Sequence, residues 1–212
     1  MKGYHDTRFA YDARRDVLWR TLCEAYFQRL VPAGGCVLEL GCGYGGFINH
    51  IRAVRRIAID QWDGAAKFVS PEVELRIGDA TDLEFVADDS VDFAFASNLF
   101  EHLTQDDLVR VLAQLRSKLK RGGTLNILQP NYRFAYREYF DDYTHRTIYS
   151  DRSLADLLAA NGFRIVDCRP KFLPLTVTSG LPVSPILIRL YLALPVKPLG
   201  KQMLLRATVD GH

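Results

Sequence analysis

Apolar side chains recur along the chain in two alternating patterns, one typical of helices and one typical of buried strands. Residues 12–30 carry apolar side chains at a helical spacing, and Pro32 followed by Gly34 and Gly35 ends that predicted helix. Short apolar runs then predict five buried strands, at 36–40, 56–60, 73–77, 91–96 and 124–128.

Helices are predicted between and after these strands. One covers 46–54. A second begins at Thr104, because the spacing of Thr104 to Asp107 is that of a capping box. A third begins at Ser150 and ends at Asn161, which a glycine follows.

Two further strands, 163–168 and 203–209, are predicted near the end of the chain, with no obvious crossover helix between them. The alternation of strands and helices predicts an α/β fold with a parallel sheet and helices on both faces. Internal repeats and low-complexity linkers are absent from the sequence, so we expect one domain over 1–212.

A glycine-rich loop follows the first predicted strand. Glycines there let a ligand approach the backbone at the carboxyl edge of the sheet. Gly41, Gly43 and Gly46 also satisfy the dinucleotide fingerprint, and Asp60 lies near the position of its ribose-binding acid. Taken alone, the glycines are compatible with NAD and with S-adenosylmethionine.

Three motifs distinguish the two cofactors. The stretch 37–45, with Glu39 before the first glycine, closely resembles the first motif of class I S-adenosylmethionine-dependent methyltransferases. The residues 78–80 and 97–103 follow the third and fourth strands, where that family places its adenine and methionine-side contacts. The resemblance covers nearly all of 12–169. The final segment, 170–212, resembles bacterial small-molecule methyltransferases of this class that are found with cell-surface sugar or lipid pathways. The family resemblance implies a Rossmann-like, doubly wound, mostly parallel seven-stranded sheet with an antiparallel last strand.

The resemblance also implies how the cofactor is bound. The glycine loop would face the methionine part and Glu39 its amine, while the carboxylate of Asp60 would accept from both ribose hydroxyls. Gln61, Trp62, Asp79 and Ala80 would contact the adenine. Ser97 and Asn98 would lie on the methionine side. The expected cofactor-binding residues are Glu39, Gly41, Cys42, Gly43, Asp60, Gln61, Trp62, Asp79, Ala80, Ser97 and Asn98.

The acceptor side is less specific. His102 is the best candidate for a general base, and His145 is the second. His145 lies in the stretch 131–149, which has seven aromatic side chains and balanced charges and would form a lid. Such a lid suits a sugar, an aromatic ring or an amphipathic acceptor. We therefore expect a small-molecule acceptor, with O-methylation slightly favoured.

Composition restricts the partners. Lys plus Arg is 27 and Asp plus Glu is 25, so charge gives no reason to expect nucleic acid. The four cysteines form no C-x-x-C pair and lack histidines at zinc-ligand spacing, so no metal site is predicted and buried, reduced thiols are expected. The start of the chain has no apolar signal core, which favours a cytoplasmic protein.

The apolar stretch 181–194 is too short and too interrupted by proline to cross a bilayer, but it could contact a membrane surface, form a dimer contact or cap the acceptor pocket. Within the domain we expect an N-terminal helical cover at 1–35 and a cofactor-binding core at 36–130. The lid at 131–149 and an apolar insertion near the acceptor at 170–200 would follow. An NAD-dependent reductase or epimerase, or a non-catalytic S-adenosylmethionine-binding subunit, are the alternatives.

Overall fold

Seven strands form one sheet in the computed structural model, which describes residues 10–175 and 183–209. In chain order they are β1 (Cys36–Leu40), β2 (Arg55–Asp60), β3 (Glu74–Ile77), β4 (Val91–Ser97), β5 (Leu119–Pro130), β6 (Phe163–Leu173) and β7 (Gln202–Val209). Their spatial order is β3-β2-β1-β4-β5-β7-β6.

The first five strands are parallel to one another, and β7 is antiparallel to both β5 and β6. Every strand predicted from the apolar runs is present. The expected mostly parallel, seven-stranded sheet with an antiparallel last strand is therefore confirmed. This topology places the carboxyl ends of β1, β2, β3 and β4 along one edge of the sheet.

Five α-helices accompany the sheet in the described part of the chain. They are α1 (Ala13–Ala25), α2 (Gln105–Lys118), α3 (Tyr132–Ala135), α4 (Asp151–Ala160) and α5 (Pro185–Ala193). The predicted N-caps are correct for two of them, because Thr104 accepts from the Asp107 N–H and Ser150 accepts from the Ser153 N–H. Short 3-10 helices occur at Phe27–Leu30, Asp63–Lys67, Phe100–His102 and Tyr139–Asp141.

Alternating side chains of the strands face two separate hydrophobic cores, as the pleat of a strand requires. On one face, Leu38 of β1 packs with buried residues of α2 and α4. On the other face, Val37 packs with α1, and the partly buried side of α5 lies against the same core. Helices therefore cover both faces, as expected.

Two parts of the predicted secondary structure are wrong. Residues 43–50 form turns where a helix over 46–54 is predicted, and Gly43 and Gly45 near the start of these turns take positive φ angles of 49° and 70°. The side chain of Asn49 there binds the Phe68 carbonyl and the Ser70 N–H, outside its own segment. The first helix ends at Ala25 and continues only as a 3-10 turn.

The sequence pattern does not predict the helix α5, because prolines interrupt the apolar stretch 181–194. Pro185 in fact occupies the first turn of α5, where its missing N–H has no helical partner to lose. Residues 176–182 of the expected apolar insertion lie outside the described residues, as do residues 1–9 of the N-terminal cover. Cys168 is exposed, against expectation, whereas the other three cysteines are buried.

Candidate active site

One large cavity, of about 1150 Å³, opens at the carboxyl edge of the sheet. The loops after β1, β2, β3 and β4 line it, together with the start of α1 and the segment 138–146. All of the site residues predicted from the sequence line this cavity: Glu39, Gly41, Cys42, Gly43, Asp60, Gln61, Trp62, Asp79, Ala80, Ser97, Asn98, His102 and His145.

The glycine loop turns sharply where β1 ends. Gly41 has a φ of 69°, which an L-residue rarely adopts, and its N–H donates to the Ile59 carbonyl over 2.8 Å. A Cβ at Gly41 would lie 3.1 Å from the Cδ1 atom of Leu99. Glycine therefore allows both the turn and the close approach of the loop to Leu99.

Glu39 lies at the base of this loop with its side chain buried. Its Oε2 atom accepts a hydrogen bond of 3.0 Å from the Ile48 N–H, which ties β1 to the turns that follow. Burial raises the pKa of the Glu39 carboxyl well above its usual value. The cavity thus has a desolvated carboxyl group in its lining.

Asp60 joins the loops after β1 and β2. Its Oδ2 atom accepts from the Gly43 N–H over 2.6 Å, and its Oδ1 atom accepts from the Trp62 N–H over 2.8 Å. Each carboxylate oxygen can accept more than one hydrogen bond. Asp60 can therefore hold both loops and still accept from a ligand.

Aromatic rings line the cavity beside Asp60. The ring of Tyr44 lies 4.9 Å from that of Trp62 and 5.6 Å from that of Tyr11, centroid to centroid. Tyr11 also stacks on Phe68 at 5.5 Å. Tyr11 and Arg15 also line the cavity, although their spacing in the sequence is equally that of a solvated helix face.

The loops after β3 and β4 complete the expected donor side. The Oδ1 atom of Asp79 accepts from the N–H and the hydroxyl of Thr81, both over 2.8 Å, and so orders its own loop. Asn98 adopts a positive φ of 50°, and its N–H donates to the Leu128 carbonyl over 2.8 Å. Both loops therefore present a fixed backbone to the cavity.

The segment 142–147 is bound to the loop after β4. The N–H groups of Arg146 and Thr147 donate to the Glu101 carbonyl over 2.8 and 3.1 Å, and the Thr147 hydroxyl donates to the Leu103 carbonyl over 2.7 Å. These bonds bring His102 and His145 together, with 4.8 Å between their ring centroids. The two histidines predicted from distant parts of the sequence are neighbours.

A hydrogen-bond chain sets the tautomer of His102. The Thr144 hydroxyl donates to Oδ1 of Asp142 over 2.6 Å. The oxygen of this hydroxyl, Oγ1 of Thr144, lies 3.0 Å from Nδ1 of His102. A hydroxyl has one proton, so towards His102 it accepts, and Nδ1 carries the hydrogen. Burial, together with His145, lowers the pKa of His102. The neutral ring thus has its lone pair on Nε2.

Glu101 is the functional candidate that the sequence reasoning missed. Its side chain is completely buried, and neither carboxyl oxygen has a hydrogen-bond partner among the described residues. Burial raises the pKa of Glu101 to about 8, with a smaller contribution from Asp142. The available signal was an acid between apolar residues, immediately before His102.

The segment 131–149 differs from the aromatic lid that was expected. Of its seven aromatic side chains, only Tyr139 is among the residues that line the described cavity. Tyr136, Phe140 and Tyr143 are more than half exposed. The side of the segment that borders the cavity is mainly polar and contributes Glu138, Asp141, Asp142, Thr144, His145 and Arg146.

The chain was compared with known proteins. The family described as methyltransferase domain matches residues 11–167. No curated protein matches the sequence. The fold is similar to that of an S-adenosylmethionine-dependent methyltransferase from Archaeoglobus fulgidus, with 23% identity over 96% of each chain and a TM-score of 0.68.

Two other solved structures have similar folds. One is a methyltransferase from Haloferax volcanii in complex with the Trm112 activator, with 18% identity, coverage of 94% of this chain and 92% of that one, and a TM-score of 0.68. The other is geranyl diphosphate C-methyltransferase from Streptomyces coelicolor A3(2), with 17% identity, coverage of 88% and 78%, and a TM-score of 0.63.

The chain belongs to the methyltransferase domain family. It is an enzyme, a class I methyltransferase, and its cofactor is S-adenosylmethionine, as the sequence motifs predicted. Among the described residues, no helix has both the length and the apolar character needed to cross a membrane.

Proposed function

We propose that this methyltransferase moves a methyl group to a hydroxyl oxygen of a small molecule, and that the acceptor is a sugar, a lipid or a cell-surface polysaccharide precursor. The observation that carries the proposal is that the donor-side residues and both histidines line the same cavity. Its volume, about 1150 Å³, exceeds the roughly 300–1,000 Å³ of most ligand sites. There is room for a cofactor and an acceptor together.

We assign the methionine end of the cofactor to the loops after β1 and β4. Backbone groups from Gly41 to Gly43, with Cys42 between them, face its carboxylate and amine, and Ser97 and Asn98 contact the same end. Glu39 supports the amine, because a buried carboxyl group gains from a nearby positive charge.

We assign the nucleoside end to the loops after β2 and β3. Asp60 accepts from the ribose hydroxyls with the acceptor capacity that its bonds to Gly43 and Trp62 leave over. Gln61 and Trp62 lie beside the adenine ring. Asp79 and the Ala80 N–H bind its polar edge. These residues fit the cofactor in size, polarity and position along one edge of the sheet.

The bound sulfonium supplies a methyl carbon that is already activated, so the chain mainly has to align the acceptor and remove its proton. His102 is suited to the second task, because its neutral ring has the lone pair on Nε2. As the oxygen–carbon bond forms and the carbon–sulfur bond breaks, the hydroxyl proton passes to that nitrogen. His145, 4.8 Å away ring to ring, binds the acceptor beside it.

The exposed apolar surface of α5 favours a lipid or lipid-linked acceptor. Ile186, Leu187 and Leu190 of α5 are 71, 46 and 60% exposed. The stretch 169–201 contains no Asp or Glu and five Lys or Arg residues, of which Arg169, Arg189 and Lys201 pair with acids outside the stretch. An exposed apolar helix suits a peripheral contact with a membrane. We place the acceptor between the segment 138–146 and Leu173, Pro174, Leu175 and Leu199, which also line the cavity.

Titration calorimetry tests the cofactor assignment. S-adenosylhomocysteine should bind with one site per chain, and NAD should give no heat of binding. Binding of NAD without binding of S-adenosylhomocysteine would remove the basis of the proposal.

Methyl transfer from labelled S-adenosylmethionine to a panel of sugar, phenol and lipid hydroxyls, with amines for comparison, tests the acceptor class. His102→Gln should lower kcat by about 10²–10⁴-fold and leave the Kd of S-adenosylhomocysteine unchanged. His50→Gln is the matched control, because His50 pairs with Asp16 of α1 and is not among the residues that line the described cavity. A His102→Gln rate equal to that of the wild type would exclude the base role.

A further inference from the structure

Glu101, His102 and His145 form a compact group of three side chains with metal-ligating atoms. One ring nitrogen of each histidine and one carboxylate oxygen lie within 4.8 Å of one another. Ligands about 2.0–2.2 Å from one tetrahedral ion lie about 3.3–3.6 Å from one another. The most widely separated ligand atoms of the group would therefore have to approach each other by up to about 1.5 Å to bind one ion.

The environment of Glu101 is the independent observation that points to a cation. Its side chain is completely buried and lines the cavity, and both carboxyl oxygens lack a hydrogen-bond partner among the described residues. A buried carboxylate without a partner is strongly destabilising, whereas a bound cation compensates its charge. The backbone carbonyl of Glu101 accepts from the N–H groups of Arg146 and Thr147, so the segment 142–147 fixes the backbone at Glu101.

The surroundings of His102 also suit a metal ligand. Metal-bound histidines usually donate their other ring N–H to a carboxylate, a carbonyl or a polar group that fixes the tautomer. The Asp142–Thr144 chain does this at Nδ1 of His102. Nε2 is thereby left as the nitrogen that carries the lone pair.

We propose that Glu101, His102 and His145 bind one divalent first-row transition-metal ion at the acceptor end of the cavity. Two imidazoles and one carboxylate favour ions such as Zn²⁺, Co²⁺ or Mn²⁺ over Mg²⁺, which prefers oxygen ligands. Three protein ligands leave coordination positions open towards the cavity. The metal site itself does not require the proposed acceptor chemistry.

The consequence for catalysis does rest on the proposed function. An open coordination position would take the acceptor hydroxyl, and coordination lowers the pKa of a bound hydroxyl group. In the metal-loaded enzyme the proton would then leave to solvent and His102 would act as a ligand, so the base role proposed above belongs to the metal-free enzyme. A metal-holding triad would thus select acceptors with an oxygen that can reach the ion.

Metal binding by the untagged full chain tests the proposal. Co²⁺ should give a visible absorption band that saturates at one equivalent, and calorimetry with Zn²⁺ should give the same stoichiometry. Glu101→Gln and His145→Asn should each weaken Zn²⁺ binding at least tenfold. His50→Gln, which keeps the triad intact, should bind like the wild type.

Two further measurements keep the variants interpretable. S-adenosylhomocysteine should bind all variants with the wild-type Kd, which shows that the fold and donor half are intact. Zn²⁺ should raise the unfolding temperature of the wild type and of His50→Gln, but not that of Glu101→Gln.

Absence of saturable Co²⁺ and Zn²⁺ binding up to about 1 mM would overturn the metal site, and so would tight binding that survives both substitutions in the triad. Loss of S-adenosylhomocysteine binding by the wild type would instead count against the proposed function. The two failures are therefore distinguishable.

Discussion

Replacement of Asp60 by alanine should weaken cofactor binding by one to two orders of magnitude. The carboxylate holds the loops after β1 and β2 through the N–H groups of Gly43 and Trp62, at 2.6 and 2.8 Å. A hydrogen bond to a charged group contributes about 1.5–3 kcal/mol. Loss of one such bond to a ribose hydroxyl corresponds to roughly 10–150-fold in Kd, at about 1.4 kcal/mol per factor of ten.

Calorimetry with S-adenosylhomocysteine measures this change directly, and urea unfolding reports the accompanying loss of stability. The unfolding free energy should fall by about 1–3 kcal/mol, because two backbone N–H groups lose their acceptor. Asp63→Ala, at an exposed acid three residues along the chain, is the matched control and should leave Kd unchanged. An Asp60→Ala affinity within twofold of the wild type would refute the ribose assignment.

Three further results are expected. Glu39→Gln, studied without cofactor, should gain stability relative to the wild type as the pH rises above about 4.3. Burial raises the pKa of Glu39, so the folded wild type keeps a proton that the unfolded chain has lost. A difference in unfolding free energy between Glu39→Gln and the wild type that stays the same from pH 4 to pH 8 would contradict this. Phe95→Ala should cost about 3–5 kcal/mol in urea unfolding, because its ring is fully buried and stacks on Phe47 at 4.1 Å; a loss below 1 kcal/mol, on the order of a surface change, would be inconsistent. Leu190→Asp should reduce co-sedimentation with anionic liposomes severalfold, and equal sedimentation of the two chains would exclude α5 as the contact.

Much of the donor half could be predicted from the sequence, because its signals are local. A strand, a glycine turn and an acid at the next strand end lie close to one another in the chain, and the parallel order brings them to one edge. The details of the loop are less local. Turns form where the sequence pattern predicts a helix. Gly45 takes a positive φ there, and the side chain of Asn49 binds Phe68 and Ser70 outside its own segment.

The acceptor half depends on contacts that no short stretch reveals. His102 and His145 are 43 positions apart in the chain, and their proximity follows from the bonds of the segment 142–147 to Glu101 and Leu103. Glu101 itself occurs inside an apolar stretch, and only its burial without a partner distinguishes it from an ordinary loop acid. Tertiary structure was needed to recognise this group.

The position of β7 inside the sheet has a consequence for how the chain folds during synthesis. β7 is the last strand in the sequence, yet it provides all of the strand pairing of β6 and covers the edge of β5. About 70 residues separate the end of β5 from the start of β7. At about 5–20 residues per second, the ribosome leaves the β5 edge unprotected for roughly 4–14 seconds. A chain that stops before β7 would expose this edge permanently and would release β6, so premature termination should yield aggregation instead of a smaller enzyme.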